Sequence, residues 1–434
     1  MVMYYPILRP GAQRQLKKIG ETDLVIGLPT YKNAFAAAHV ARAALEGVHQ
    51  HYPHLRTVLI NADAGLEAST RQAVAAQASS NGHNSLVVTG RYYGLRGQGS
   101  AAAALLDAAL ALDAKAILIL DSQAYGITPD WIGGLAHLIL EKKVDLVMPR
   151  YHWSLPGGAL SDLIVYPLFR ALWGRSVRHP AAPDFALSPR LATALLDEDI
   201  WETEAAGFGL PLWLTTYATL GNWRVAQSAL GQKQSFPPDG RAIASEQGRA
   251  KSARFAQVEF KAQFQDVVTV LLRLIESYQP HWQQVDQFYS LSTLTQFVSD
   301  MDLTPSPEKD PTPLLDELAL GWIDYRALWR RILTPDNLRQ IESLAALPPE
   351  RFYFPADLWA RIIYDFGVVF NKGECDPYQV VKSLFPLYQG RLAAFWQEIA
   401  GLSSVGREGT IAAQAVEFEA RRAYLKNRWK IYQP

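Results

Sequence analysis

The sequence has one cysteine, Cys375, in 434 residues. One cysteine cannot form an intrachain disulfide, and it cannot supply the ligands of a cysteine-based zinc site. This usage fits a reducing compartment, and we expect a cytoplasmic protein. Residues 1–18 lack a continuous apolar stretch followed by a small-residue cleavage site, so the sequence predicts no signal peptide.

An excess of either charge is also missing, because Lys and Arg together number 42 and so do Asp and Glu. Proteins that neutralise a phosphate backbone normally carry a basic excess, so we do not expect a nucleic-acid partner. The longest Ala- and Leu-rich stretch, residues 100–120, contains Asp107, Asp113 and Lys115, and it predicts no membrane span. With 49% hydrophobic and 19% charged residues the composition is globular, and the length favours two domains.

The first half of the chain alternates apolar runs with helical patterns, as βαβ units do. This alternation predicts an α/β fold with a mixed, mostly parallel sheet, whose ligands bind outside the carboxyl ends of the strands. The predicted strands are Leu24–Leu28, Thr57–Asn61, Ser85–Thr89, Ala116–Leu120 and Asp145–Met148, and the predicted helices lie near Ala34–His49, Glu67–Gln77, Ser100–Leu112 and Asp130–Glu141.

The character of the sequence changes after Gln232. Residues 234–248 are rich in Pro, Gly and Ser and predict a loop, residues 249–278 predict a long helix, and residues 300–312 read as a linker. We therefore expect an α/β domain at 1–235, a loop and connecting helix at 236–300, and an all-α region at 301–434. Four tryptophans of that region fit either a homodimer interface or a helix-bundle core: Trp322, Trp329, Trp359 and Trp396.

Polar residues follow the first two predicted strands. Pro29, Thr30 and Asn33 lie where a strand stops and a helix starts, and backbone N–H groups at such a start can face a polar ligand. A plain strand-to-helix turn explains the same residues. Asp63 follows the second strand, and it could accept a hydrogen bond from a base or ribose, or form a turn that caps the next helix.

The third strand end is the most informative. A Gly-rich loop, residues 94–100, opens a helix, and the strand after that helix ends in Asp121-Ser122-Gln123. Glycines let a backbone approach a diphosphate closely, and an acidic residue leaving a central strand can hold a metal or a sugar hydroxyl. A structural turn is the alternative, but this order of elements favours a nucleotide site.

This order, together with the later segment Thr128-Pro129-Asp130-Trp131, resembles the GT-A glycosyltransferases of the mannosylglycerate synthase and glucosyl-3-phosphoglycerate synthase type. The resemblance implies a GT-A domain with a helical C-terminal region. It also implies transfer of a hexose from a UDP- or GDP-sugar to a small, glycerate-like acceptor, with retention of anomeric configuration.

The resemblance also assigns roles to individual residues. It implies that Asp121 and Asp184 act in catalysis, and Lys233 is a further candidate catalytic residue because of its charge. The implied nucleotide-sugar site comprises Pro29, Thr30, Asn33, Asp63, Gly97, Gln98, Asp121, Ser122 and Gln123, and the expected acceptor site comprises Arg150, His152 and Ala182.

The sequence departs from this family at its metal ligands. Gln123 stands where the family has the second Asp of its Asp-x-Asp pair, and Gln234 stands near the position of its late histidine ligand. Amide oxygens bind a hard divalent cation more weakly than carboxylates do, so we expect no obligatory cofactor, and Asp121 is the one position left for Mg²⁺ or Mn²⁺. A transferase without a metal still needs positive charge near the departing diphosphate, and Lys233, Arg241 and Arg249 are candidates.

Two other functions fit parts of the sequence. A degenerate GT-A protein that binds a nucleotide or sugar without catalysis would explain why several polar positions are replaced at once. A nucleotidyltransferase would share the sheet, but it would carry Arg and Lys in a Gly-rich loop directly after the first strand, where this sequence has Pro29-Thr30-Tyr31.

Overall fold

The protein is described by a computed structural model, which covers residues 5, 7–82, 85–153, 158–235, 246–294 and 309–433, with the backbone alone at 80–82, 153 and 246–256. Arg241 therefore lies outside the described residues, and so does the side chain of Arg249. In the described ranges, no helix is both long enough and apolar enough to cross a membrane.

Ten strands are present in the described part of the chain. They are β1 (Leu24–Thr30), β2 (Thr57–Asp63), β3 (Leu86–Arg91), β4 (Ala116–Ile119), β5 (Leu146–Trp153), β6 (Arg175–Ser176), β7 (Phe185–Leu187), β8 (Val225–Lys233), β9 (Tyr289–Ser290) and β10 (Thr293–Leu294).

Helices cover most of the remaining chain. They are α1 (Pro10–Ile19), α2 (Ala34–His51), α3 (Ser69–Ala75), α4 (Gln98–Leu110), α5 (Asp130–Leu140), α6 (Tyr166–Trp173), α7 (Pro189–Leu196), α8 (Leu210–Leu220), α9 (Glu246–Ser277), α10 (Gln279–Gln284), α11 (Thr312–Ile332), α12 (Pro335–Ala345), α13 (Ala356–Lys372), α14 (Pro377–Ile399), α15 (Ser404–Ala420) and α16 (Arg422–Ile431).

Eight strands form one sheet in the order β10-β8-β5-β7-β4-β1-β2-β3. All neighbouring pairs are parallel except those of β7, which is antiparallel to both β4 and β5. The predicted mixed, mostly parallel sheet is confirmed, as is the all-helical region near the C-terminus. β1, which is apolar up to Pro29, is buried at every position, as expected of a strand at the centre of a parallel sheet covered on both faces.

The chain divides into two compact units. The first unit, residues 1–157, 179–267 and 291–301, holds the eight-stranded sheet. The second, residues 158–178, 268–290 and 302–434, holds α6 and α10 to α16. Residues 158–178 thus belong to the helical unit although they lie within the range 1–235 that the sequence suggests for the first domain. The domain boundaries stay a prediction, since a compact unit need not fold alone.

Two of the four tryptophans are core residues of the helical unit. Trp329 and Trp359 are fully buried. The Trp329 indole donates to the Ser383 carbonyl at 3.0 Å, and the Trp359 indole donates to the Leu163 carbonyl at 2.7 Å. Both therefore serve as bundle core with satisfied N–H groups, and neither is available for a dimer interface.

Candidate functional site

The antiparallel strand β7 brings three charged side chains of the first unit together. Asp121 follows β4, and Lys233 is the last residue of β8, so both lie at the carboxyl edge of the sheet. Because β7 runs the other way, the residue before its start, Asp184, lies at that same edge. Ile119 of β4 is paired with Phe185 of β7, which places Asp121 beside Asp184.

The Lys233 ammonium lies between the two carboxylates. Its Nζ atom is 2.9 Å from Asp121 Oδ2 and 2.6 Å from Asp184 Oδ2. The side chains of Lys233 and Asp184 are 0% exposed, whereas that of Asp121 is 21% exposed. Asp121 is therefore the member of this charged triad that can reach a ligand from solvent.

Aromatic residues complete the enclosure of the ammonium. Its nitrogen lies 5.5 Å from the Trp131 ring centroid and 5.3 Å from that of Tyr151, within cation–π range. The Tyr151 hydroxyl donates to Asp184 Oδ2, and the backbone N–H of Asp121 donates to Asp184 Oδ1 at 2.8 Å. Both Asp184 oxygens thus have partners, as a buried carboxylate requires.

The pKa of Lys233 follows from these neighbours. Burial alone would lower it, but the carboxylates of Asp121 and Asp184 outweigh burial and raise it, so the lysine stays charged. Burial, and then the charge of Asp184, raise the pKa of Tyr151 well above its usual range, so the phenol stays protonated and keeps donating.

A divalent cation does not fit between Asp121 and Asp184, because Lys233 Nζ already lies within 3 Å of both. In the described residues, no group of three or more His, Cys, Asp and Glu side chains is arranged to hold a metal ion. Gln123 bonds to two nearby carboxylates. Its backbone N–H donates to Asp121 Oδ1 at 2.9 Å, and its amide nitrogen donates to Glu259 Oε1 at 3.4 Å.

The polar residues after β1 and β2 bond mainly to one another. Thr30 Oγ1 donates to Asp63 Oδ1 at 3.1 Å, and the Gly65 N–H donates to the same oxygen at 3.1 Å. Arg71 forms an ion pair with Asp63 Oδ2. The Asp63 side chain is fully buried and has a turn-forming role, and its expected contact with a base stays a prediction. Pro29 is buried within β1.

Asn33 links the first strand end to the third. Its amide nitrogen donates to Ser122 Oγ at 2.8 Å, and its carbonyl oxygen accepts from the Tyr31 N–H at 3.2 Å. The structure therefore brings Asn33, Ser122 and Asp121 to one place, as the sequence predicts for a nucleotide-sugar site.

Close packing explains why the Gly-rich loop contains glycines. A Cβ atom at Gly97 would collide with the Ala206 carbonyl, and one at Gly99 would collide with the Ala205 carbonyl. The Gly99 N–H donates to the Gly207 carbonyl at 2.9 Å, and the Gln98 amide donates to the Pro183 carbonyl at 3.2 Å. Close approach of two chain segments requires these glycines, and their expected role near donor phosphates stays a prediction.

The expected acceptor residues differ in exposure. Arg150 is exposed, His152 is half-buried, and Ala182 is buried with its N–H bonded to the His179 carbonyl at 3.1 Å. The irregular register of β5 falls between Arg150 and His152, around Tyr151. Their acceptor role stays a prediction.

Comparison with known proteins finds a likeness in structure. The chain is similar in structure to glucosyl-3-phosphoglycerate synthase from Mycobacterium tuberculosis. Its structure with Mn²⁺, UDP and glucosyl-3-phosphoglycerate is 20% identical, and the match covers 62% of this chain and 85% of that chain with a TM-score of 0.40. Its structure with Mn²⁺, UDP-glucose and glycerol 3-phosphate is also 20% identical, covering 62% and 85%, with a TM-score of 0.38.

No protein-family model and no curated protein matches the sequence. These solved structures are of a glucosyl-3-phosphoglycerate synthase, the kind of protein that the sequence resembles. At this identity and TM-score, the likeness says nothing about activity.

Sequence patterns missed two residues of the site. Tyr151 lies between the predicted acceptor residues Arg150 and His152. Successive side chains of a strand point to opposite faces of the sheet, and this alternation is the signal that could have set Tyr151 apart from its two neighbours. Glu259 lies in α9, and no local motif marks it. Burial, and then the charge of Asp121, raise the pKa of its carboxyl group, while Gln123 and Arg96 lower it in part.

Lys233→Met should destabilise the protein strongly, because it leaves two adjacent carboxylates without their cation. We expect a loss of about 3–5 kcal/mol in the free energy of unfolding, measured by urea denaturation. Lys233→Met combined with Asp184→Asn should recover much of this loss, since one buried charge is removed. Lys143→Met, which breaks the surface pair with Glu141, is the control and should change little. A Lys233→Met variant as stable as the parent would contradict this account.

Glu259→Gln should flatten the pH dependence of stability. When folding raises the pKa of a carboxyl group, the protein loses stability as the pH rises from the ordinary pKa of that group, about 4.3, to its raised pKa. The reason is that the group ionises first in the unfolded chain. The difference in melting temperature between variant and parent should therefore grow in favour of the variant across that window. The exposed Glu276 lies in the same helix, and Glu276→Gln is the control variant, measured over the same pH range. A constant offset for Glu259→Gln would refute the raised pKa.

Proposed function

We propose that the protein is a glycosyltransferase that binds a nucleoside diphosphate sugar at the carboxyl edge of the sheet and works without a divalent cation. The donor is a UDP- or GDP-hexose, and the acceptor is a small, polar, glycerate-like molecule. One observation carries the proposal: Lys233 Nζ bonds both Asp121 and Asp184 where a metal would otherwise be needed.

Electrostatics explains what this arrangement offers a donor. Two carboxylates at a ligand-binding edge would repel a diphosphate, and a buried ammonium between them offsets that repulsion without a bound ion. Asp121 keeps part of its side chain in contact with solvent, so a carboxylate oxygen can accept a hydrogen bond from a ribose or sugar hydroxyl. Asn33 and Ser122, which are bonded to each other beside it, supply further polar groups for the same ligand.

The position of the site also favours a ligand of this class. Open α/β sheets bind their ligands outside the carboxyl ends of the strands. Asp121, Ser122 and Asn33 all lie at that edge, after β4 or β1. Retention of anomeric configuration, implied by the family resemblance, remains part of the proposal.

A second candidate function is binding of a nucleotide or sugar without catalysis. The complete burial of Lys233 and Asp184 favours it, because neither side chain can touch a substrate without rearrangement. The two candidates differ in turnover and agree on donor binding.

The decisive experiment is a calorimetric titration of UDP- and GDP-hexoses, with EDTA and with Mn²⁺. We expect one donor to bind with the same affinity in both conditions. Asp121→Asn should weaken that binding by about tenfold, equivalent to 1.4 kcal/mol, because the one accessible carboxylate is lost. Glu67→Gln is an exposed control that should leave binding unchanged. Absence of binding to every donor would refute the proposal.

Two further measurements extend this experiment. The Lys233→Ala variant should bind Mn²⁺ more tightly than the parent does. Removal of the Lys233 ammonium leaves two adjacent carboxylates free to bind a hard cation. Release of nucleoside diphosphate from the bound donor, to water or to glycerate, separates the two candidates. Turnover supports the transferase, and tight binding without turnover supports the non-catalytic protein.

A further inference from the structure

A polar cavity lies apart from the Asp121 site, at the carboxyl edge of the sheet where β2 and β3 end. Its volume is about 130 Å³, roughly four times the share of one water molecule in the liquid. Three arginines line it: Arg9, Arg91 and Arg96.

The cavity carries a positive charge that its own walls do not offset. Asp63 also lines it, but the Asp63 carboxylate already bonds Arg71, Thr30 and Gly65. Within the described ranges, no ion pair or side-chain hydrogen bond engages the guanidinium groups of Arg9, Arg91 and Arg96. Within the described residues, these three arginines therefore line the space with no carboxylate bonded to them, although the charge of Arg96 also acts on Glu259.

Arg91 provides an independent observation. Its Nε atom is buried and has no hydrogen-bond acceptor among the described residues. A buried donor without an acceptor is unfavourable, and native proteins seldom leave one unless a ligand or water satisfies it. An anion in the cavity would supply that acceptor.

The chain holds these arginines in place by specific contacts. Leu8 forms an antiparallel bridge with Tyr92, and the Arg9 N–H donates to the Arg91 carbonyl at 2.8 Å, so the segment before α1 is fixed to the end of β3. The Arg9 guanidinium lies 4.9 Å from the Tyr93 ring centroid. The Arg96 guanidinium lies 4.1 Å from the Tyr31 ring centroid. Stacked guanidinium groups lose less freedom when they bind a planar or tetrahedral anion.

We propose that this cavity is an anion-binding site for a phosphoryl group. Arginine presents a fork of N–H donors that matches phosphate oxygens, and such charge-assisted bonds are stronger than neutral ones. The phosphoryl group comes either from free phosphate or a phosphorylated small molecule, or from the diphosphate of a nucleotide. The site does not depend on the proposed transferase activity, since it can be occupied when no donor binds at Asp121.

The test is a calorimetric titration of the full-length protein with inorganic phosphate, without nucleotide. We expect saturable binding that Arg91→Gln and Arg96→Gln each weaken by about tenfold. Arg91→Lys should recover only part of the affinity, because it keeps the charge but loses the fork. Arg14→Gln, an exposed position in α1 beside the same segment, should bind as the parent does. Circular dichroism and melting temperature confirm that each variant is folded.

Two results would overturn the site: no saturable phosphate binding to the parent protein, or binding that the arginine variants leave unchanged. A second titration with UDP distinguishes the sources of the phosphoryl group. Competition between UDP and phosphate assigns the cavity to a nucleotide phosphate, and simultaneous binding assigns it to a separate phosphorylated ligand. Failure of UDP-hexose to bind would refute the transferase proposal and leave the phosphate result intact.

Discussion

The arrangement of the site depends on one buried interaction, the contact of the Lys233 ammonium with the carboxylates of Asp121 and Asp184. Three charges removed from water are tolerated only when they are paired and their remaining hydrogen-bonding capacity is used. Tyr151 and the backbone of Asp121 meet that condition for Asp184, and two aromatic rings face the ammonium. The requirement fixes the ends of three strands relative to one another.

That contact also sets the electrostatics of the sheet edge. With an internal ammonium in place, one of the two negative charges of Asp121 and Asp184 is compensated, and a negatively charged ligand meets less repulsion there. The arginine-lined cavity at the ends of β2 and β3 has the opposite balance, with three cations and a carboxylate that is already paired. One edge of the sheet thus offers a partly compensated polar site and a cationic site.

Much of the fold was predictable because local sequence patterns specify its strands and helices. Apolar runs separated by helical periodicities located β1 to β5 to within a few residues, except that β5 continues to Trp153. The short strand β7 was not predicted, because three residues carry too little periodicity to identify a strand. The helical unit also includes residues 158–178, which only contacts distant in sequence could reveal.

The sequence by itself determined the α/β class, the helical C-terminal region and the candidate Asp121, because strand ends and turn residues are local features. Asp184 came from the family resemblance, and Lys233 from the need for positive charge near a departing diphosphate. The tertiary structure decided how those candidates act. Lys233 and Asp121 are 112 positions apart, at the end of β8 and after β4, and only the formation of the sheet brings them within 2.9 Å of each other. Burial then assigns their roles, since an enclosed lysine serves as an internal cation and a partly exposed aspartate remains able to meet a ligand. Such distinctions depend on solvent access and on contacts between remote residues, which no local pattern contains.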